Sequence, residues 1–421
     1  MSNTARATAL KLIAAVLADG QMLSDALNIP QFLDLEPAER ARARRLASEV
    51  LRGMERADRV LSKHLRKAPP LPVRNALRLG VVELAHGGAA HGVVHAIVTE
   101  VGRMRRHGAL KGLANAVLRK VAAEMPDAWD KLRIPRVPKP LRSRLVKAWG
   151  AAAVAKMEEA HFREPPTDLS LKSANVPPPD GLRLPTGSVR LVGGTQISAL
   201  PGYDTGDWWV QDAAAALPAR ILKAQPDENV LDLCAAPGGK TMQLAATGAR
   251  VTAVDSSSQR MARVEENLAR TGLDADLQVL DGRQVSGRFD AILLDAPCSA
   301  TGTIRRHPDL PHIKGDADVA GLVALQSELL DHAWTLLRPG GRLVFCTCSL
   351  LPEEGESQLA RALHTLSDAS ADPDACLIEG IDPAWVTALG GLRLRPDYWP
   401  DHGGMDGFFV AALRKTAKAG D

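Results

Sequence analysis

Asp232-Leu-Cys-Ala-Ala-Pro-Gly-Gly-Lys240 follows the apolar pair Val230-Leu231 and precedes Thr241-Met-Gln-Leu-Ala-Ala246, the order of a strand, a glycine turn and the start of a helix. Gly238 and Gly239 let the backbone come close to a ligand, and the free N–H groups that open the helix then face it. Turns of this kind also serve packing, so the reading depends on the strands that come after it in the chain.

Arg250-Val-Thr-Ala-Val-Asp255 predicts a second strand that ends in a carboxylate, where doubly wound sheets place the acid that accepts hydrogen bonds from ribose hydroxyls. Asp276-Leu-Gln-Val-Leu280 predicts a third, ending in Asp281-Gly282. Lys240 does not sit in a Gly-x-x-x-x-Gly-Lys-Ser/Thr phosphate loop, and two carboxylates would repel a triphosphate. A cationic, phosphate-free nucleoside cofactor such as S-adenosylmethionine suits this charge pattern better.

Outward from this core, Phe289-Asp-Ala-Ile-Leu-Leu-Asp295 predicts a fourth strand and Arg342-Leu-Val-Phe-Cys-Thr-Cys348 a fifth. A helix over Val319 to Leu337 lies between them, with Arg338-Pro-Gly-Gly341 as the turn. Leu392 to Leu394 and Phe408 to Leu413 close the sheet. Strands alternating with helices predict a mostly parallel, doubly wound α/β sheet of Rossmann-like class, with ligands beyond the carboxyl ends of its strands.

Upstream the pattern changes. Apolar residues recur at helical spacing over Arg6 to Leu17, Arg44 to Met54, Ala57 to Lys67, Val73 to Leu84, Val93 to Met104 and Leu110 to Val121, which predicts an all-α domain over residues 1–125. Pro37 and Pro72 sit where first-turn prolines belong. A proline-rich stretch over 126–139 reads as a linker. A small α+β subdomain is expected over 140–205, with helices over Leu141 to Trp149 and Ala152 to Phe162 and strands over Thr167 to Ala174 and Val189 to Val192. Trp208-Trp209-Val210-Gln211-Asp212 then introduces a helix over Ala213 to Leu222, and the α/β domain occupies 206–416.

Charge divides the same way. Residues 1 to 150 carry 27 Lys and Arg against 13 Asp and Glu, leaving 25 against 36 for the remainder, so the basic half suits a polyanion, although a solvated helical face gives the same excess. Arg103, Arg105, Arg106 and Lys111 are its densest cluster. Hydrophobic content of 45% with no long uncharged apolar run, and no signal-peptide pattern in Met1-Ser-Asn-Thr-Ala-Arg6, lead us to expect a cytoplasmic protein with no membrane partner. Five cysteines without a regular framework read as free thiols. His91 and His95 share a helical face, but no third ligand stands at metal-binding spacing, and no metal is expected.

Two thiols leave apolar strands for polar loops: Asp295-Ala-Pro-Cys298-Ser299 after the fourth strand and Thr347-Cys348-Ser349 after the fifth. If strands one, four and five are neighbours, both thiols reach the rim that holds the glycine turn. Cys346, Cys234 and Cys376 suit inert buried positions. Carbon 5 of a pyrimidine is a poor nucleophile until a thiolate adds at carbon 6 and makes it enamine-like. It then accepts a methyl group, loses its proton and expels the thiolate, so a second group beside the first is useful as base or relay. Asp295, if protonated, would share its proton with N3 of cytosine. The base must also be unstacked to be attacked.

Asp232-Leu-Cys-Ala-Ala-Pro-Gly-Gly-Lys-Thr241, Asp295-Ala-Pro-Cys-Ser-Ala-Thr-Gly302, Arg305-Arg-His-Pro-Asp309 and Thr347-Cys-Ser349 closely resemble, in order and spacing, the motifs of the Nop/Sun family of RNA cytosine-5 methyltransferases. The resemblance implies that Cys348 is the nucleophile, that Cys298 assists product release, and that Cys234, Ala235, Ala236, Pro237, Gly238, Gly239, Lys240, Asp255, Asp281 and Asp295 line an S-adenosylmethionine site. Leu77-Arg-Leu-Gly80 and Gly112-Leu-Ala-Asn-Ala-Val-Leu-Arg119 resemble the NusB-type RNA-binding module. The combination is similar to bacterial Sun/RsmB enzymes, which methylate a cytidine of small-subunit ribosomal RNA. That implies an RNA partner, and we expect a monomer. Transfer RNA as the substrate, or a non-catalytic assembly factor, are the alternatives, and the intact pair of cysteines counts against the second. After Asp309 the chain departs from the family's usual Ile-Lys-Trp and reads Leu310-Pro-His-Ile-Lys314.

Overall fold

The structure, a computed structural model, describes residues 4–191, 196–313 and 316–416, so that Val192 and Lys314 lie outside the described residues. The chain forms two compact units. One comprises Met1–Glu164 with Ile304–Lys314, the other Pro165–Thr303 with Gly315–Asp421.

The first unit is helical. Its longest helix, Pro37–Ser62, begins at a first-turn proline and buries Leu46, Ala47, Val50, Leu51, Ala57, Val60 and Leu61 along one face. The sequence periodicity suggests two helices here, over 44–54 and 57–67, but the helix is continuous. Gly53 would ordinarily weaken it by about 1 kcal/mol, yet the absent side chain admits Trp129, whose ring carbon lies 2.8 Å from where a Cβ would stand. Gly80 does the same for the helices Leu71–Ala85 and Lys111–Glu124, where an added Cβ would come within 3.0 Å of Leu118. Arg6 and Glu83 form a buried ion pair at 2.7 Å that ties the first helix, Thr4–Leu17, to Leu71–Ala85. The helices Lys139–Trp149 and Ala151–Phe162, grouped from sequence with the strands after them, belong to this unit. So does the segment from Ile304, which arrives from the middle of the α/β sequence.

The second unit holds two sheets. In the smaller, β1 (Asp168–Leu171), β2 (Gly181–Arg183), β3 (Val189–Leu191) and β4 (Trp208–Val210) pair antiparallel in the order β2-β3-β1-β4. The tryptophan pair is therefore strand, not the lead-in to a helix at Ala213, and the helix starts at Leu217. Pairing with β1 makes this stretch a strand, in which Trp208 and Trp209 are both buried. β2, which the sequence does not suggest, is an exposed edge strand without an apolar pattern.

The larger sheet contains β5 (Asn229–Leu233), β6 (Arg250–Asp255), β7 (Asp276–Val279), β8 (Phe289–Asp295), β9 (Leu337–Thr347), β10 (Ala369–Ala371), β11 (Leu392–Leu394) and β12 (Phe408–Lys415). Its order is β10-β12-β9-β8-β5-β6-β7, with β11 beside β12. From β9 to β7 all pairs are parallel, and β12 runs antiparallel to β9. Ala291, Ile292, Leu293 and Leu294 are all fully buried, as a central parallel strand covered on both faces requires. Residues 338–341, expected as a turn, lie inside β9; a register shift between Phe289 and Ala291 of β8 takes up the extra residues. The pairing β5-β8-β9 makes the predicted first, fourth and fifth strands neighbours. Among the described residues, no helix is long and apolar enough to cross a membrane.

Candidate active site

The glycine turn joins β5 to the helix Gly239–Ala245. Cys234 and Gly238 both have positive φ, 63° and 98°, so the chain reverses sharply before the helix. Gly238 also lacks room for a side chain, because an added Cβ would sit 3.0 Å from Val264. Beneath the turn, Asp232 is fully buried and accepts a hydrogen bond from Thr241 Oγ1 at 2.6 Å. Burial lifts its pKa to about 7, although the Thr241 bond acts in the opposite sense.

Three acids stand at successive carboxyl ends, and each meets a cation. Asp255, the last residue of β6, accepts from Ser257 N at 2.9 Å, from Ala236 N at 3.3 Å and from Arg260 Nη2 at 2.8 Å. These bonds tie the end of β6 to the turn. Asp281, after β7, holds Arg283 at 2.6 Å, and hydrogen bonding to that guanidinium pulls its pKa down to about 2. Asp295, the last residue of β8, accepts from Lys240 Nζ at 2.7 Å. Burial alone would lower the pKa of Lys240, but the charge of Asp295 outweighs it and the ammonium is held above its ordinary range. Arg260 and Arg283 are about half exposed, with side-chain accessibilities of 58% and 46%, whereas Lys240 is buried.

The two thiols meet at the same rim. Cys298 Sγ and Cys348 Sγ are 3.4 Å apart, and both residues are partly accessible. The contact with Cys348, and then burial, push the Cys298 thiol well above its usual range. Cys346 and Cys376 are fully buried and raised by burial. Cys234 is raised by burial and then by the charges of Asp295 and Asp255. Low reactivity is the consequence for all three.

Sequence reasoning misses several contributors. Arg260 and Arg283 lie five and two residues beyond the acids they pair with. Glu354, fully buried, accepts from Ser299 N at 2.8 Å, Ser299 Oγ at 2.5 Å, Ser349 Oγ at 2.5 Å and Gln326 Nε2 at 3.1 Å. A serine after each cysteine is the available signal, but which acid they share is a tertiary fact. Arg305-Arg-His-Pro-Asp309 belongs to the helical unit, where Asp309 Oδ2 accepts from Leu23 N at 2.9 Å and the Arg305 carbonyl from Arg52 at 2.8 Å. His91 and His95 stack with ring centroids 6.4 Å apart, and no group able to hold a metal ion is found among the described residues. Trp209 is core, its indole N–H donating to Gln211 Oε1 at 2.9 Å.

Comparison with known proteins bears on the same residues. The family described as 16S rRNA methyltransferase RsmB/F matches residues 219–414, and the NusB family matches residues 3–123. The ribosomal RNA small subunit methyltransferase B of Sodalis glossinidius is 36% identical over 98% of this chain and 98% of its own. The protein of that name from Cronobacter sakazakii is 36% identical over 97% and 98%. Among solved structures, PH0851 aligns with 99% of this chain and 99% of its own at a TM-score of 0.73 and 22% identity. A methyltransferase homolog from Pyrococcus horikoshii covers 66% of this chain and 95% of its own at a TM-score of 0.55 and 28% identity.

Proposed function

As a member of the 16S rRNA methyltransferase RsmB/F family, the chain is an S-adenosylmethionine-dependent RNA methyltransferase, and on that premise we propose that it methylates carbon 5 of a cytidine in small-subunit ribosomal RNA through a transient bond from Cys348. The observation that carries this reading is the 3.4 Å approach of Cys298 to Cys348 at the rim of the glycine turn.

The residues present fit the cofactor. Carboxylates at three strand ends suit a cationic nucleoside without phosphates, and the two arginines on Asp255 and Asp281 are exposed enough to swing into solvent and release acceptors. Residues 234–240, Asp255, Asp281 and Asp295 would hold it, Asp255 taking the ribose hydroxyls. When bound, S-adenosylmethionine supplies an electrophilic methyl group on a sulfonium.

The chain's own groups supply the rest. The Cys348 thiolate adds to carbon 6, and the displaced π electrons make carbon 5 the nucleophile that takes the methyl group. Water takes the carbon-5 proton, the electrons of that C–H bond restore the 5,6 double bond, and the sulfur–carbon bond breaks with the Cys348 sulfur leaving as thiolate. Cys298, holding its own proton, lies where it can stabilise the departing thiolate by hydrogen bonding. Lys240 fixes the carboxyl of Asp295 at the end of β8, and that carboxyl is the group we assign to N3 of the cytosine. The basic helical unit suits the RNA backbone.

Bisulfite sequencing of 16S rRNA from cells with and without the gene tests the reading. A single cytidine is expected to lose its resistance to conversion in the deletion strain. Unchanged resistance throughout that RNA would remove the proposed substrate.

A further inference from the structure

We propose that Glu354 is the positioning residue of the thiol pair: its buried carboxylate binds Ser299 and Ser349 together and so sets the distance between the sulfurs of Cys298 and Cys348. Each serine directly follows one of the cysteines, and the two loops leave β8 and β9, which are paired only up to Asp295 and Cys346. Beyond that point two backbone bonds remain between the segments, Ala296 N to the Cys346 carbonyl and Gly302 N to the Cys348 carbonyl, each at 2.9 Å, and the serine hydroxyls meet each other and Thr301 Oγ1 at 3.2 Å. Neighbouring strands lie about 4.8 Å apart, and a charged group that crosses the gap between them gathers those contacts at one point.

Glu354 crosses it. One oxygen accepts from Ser299 N and Gln326 Nε2, the other from both serine hydroxyls. The carboxylate is in turn held from both sides. Thr347 Oγ1 donates to the Glu354 carbonyl at 2.9 Å, and Gln326, on the helix Asp316–Leu336, also donates to the Pro297 carbonyl at 2.8 Å. Ser349 Oγ, donating a hydrogen bond to Glu354, accepts one from Leu351 N at 3.0 Å. Only an ionised carboxylate offers two oxygens that accept from four donors at once, which fixes both hydroxyl orientations. Burying it among hydroxyls, an amide and a backbone N–H is costly, and a requirement of the site for a negative charge explains why an acid stands there. Its charge adds to the contact with Cys348 and the burial that push the Cys298 thiol up.

Two properties are thus carried by one side chain, and two substitutions separate them. Glu354→Gln keeps an acceptor oxygen for Ser299 N and Gln326 and an amide that donates to the serine hydroxyls, while removing the charge. Glu354→Ala removes the carboxylate altogether and leaves the serine hydroxyls only each other and Thr301 as side-chain partners. The catalytic consequence rests on the proposed roles of Cys298 and Cys348, but the geometric claim does not.

The test uses the full-length protein treated with diamide, which takes two electrons and two protons from a pair of thiols, becoming a hydrazine as the disulfide forms. Closing 3.4 Å to a bond needs an approach of only about 1.4 Å. The rate of Cys298–Cys348 disulfide formation, followed by mass spectrometry, is expected to fall by about tenfold or more in Glu354→Ala and to stay within about twofold of the parent in Glu354→Gln, since displacements on the order of 1 Å are what such reactions detect. Ser349→Ala, which removes one arm and leaves the acid buried, is expected to fall between them and serves if Glu354→Ala does not fold. In methyl transfer, Glu354→Ala should lose about a hundredfold in kcat with KM for RNA little changed. Glu354→Gln should recover most of that rate and move the pH profile of Cys298 alkylation to lower pH. Disulfide formation at the parent rate in both Glu354→Ala and Ser349→Ala overturns the proposal. Slowed oxidation in an enzyme whose methyl transfer survives Cys348→Ser leaves Glu354 as the tie and overturns the function instead.

Discussion

The sulfur of Cys298 lies 3.4 Å from that of Cys348, although 50 positions separate them in the chain. Parallel pairing of β8 with β9 brings the two together, and the proposed function makes Cys348 the sulfur that attacks and Cys298 the one that assists release. Cys348→Ser is therefore expected to abolish methyl transfer and form no adduct with RNA. Cys298→Ser should attack but release slowly, accumulating a covalent enzyme–RNA species on denaturing gels. An active Cys348→Ser enzyme contradicts the assignment.

Gly302 holds the Cys348 loop from the other side. Its N–H donates to the Cys348 carbonyl at 2.9 Å, and a Cβ added to it would collide with the Gly407 carbonyl oxygen. With backbone on that side, no side chain can yield. Gly302→Ala is expected to cost about 3 kcal/mol, lowering Tm by roughly 5–10 °C in differential scanning calorimetry, and to remove activity at temperatures where the protein remains folded. A variant with parent Tm and parent kcat would show that this close approach does not govern the site.

Asp232 predicts a pH dependence of stability. Its pKa is raised by burial from 3.8 to about 7. Between those values the unfolded chain has released the proton and the folded chain has not, so stability present below pH 4 is lost as pH rises through 7. Each tenfold difference in proton affinity between the folded and unfolded chain is worth about 1.4 kcal/mol. Asp232→Asn, which still accepts from Thr241, is expected to gain stability relative to the parent by a few kcal/mol more at pH 8 than at pH 4. Thermal melts of both proteins across that range check it, and parallel curves would rule it out.

The exposed residues Arg105, Arg106 and Lys111 give a test of the helical unit. Their joint replacement by Glu should weaken RNA binding and reduce the salt dependence by about 0.7 in log–log slope for each lost phosphate contact, leaving S-adenosylmethionine affinity unchanged by calorimetry. Point changes are cleaner here than removing residues 1–125, because Leu23 and Arg52 supply hydrogen bonds that Asp309 Oδ2 and the Arg305 carbonyl accept. Loss of cofactor binding in the triple variant would mean that the charges act elsewhere.

Much of the α/β unit was legible because its signals are local. Runs such as Ala291–Leu294 are apolar on both faces, glycines mark the turn at 238–239, and acids end successive strands. Boundaries failed where a distant partner decided them. Trp208–Val210 became strand through pairing with β1, the helix Pro37–Ser62 ran unbroken because Trp129 fills the space beside Gly53, and residues 338–341 joined β9 through a shift in β8. The cations on Asp255 and Asp281 were within reach of a local reading, since each lies within a turn or so of its acid.

Local order alone determined the succession of helices and strands, the acids Asp255 and Asp295 that end two of the strands, and the thiols that leave the sheet for its rim. Hydrophobic period and turn chemistry act over a few residues, so these are written in the chain itself. What only the tertiary structure decided is who meets whom: Cys298 with Cys348, Lys240 with Asp295, Glu354 with both serines, and the segment from Ile304 with the helical unit. Those contacts depend on the order in which strands pair and on which buried polar groups find partners, and such choices are settled by the whole folded chain, where an unpaired donor or charge costs more than any local preference returns.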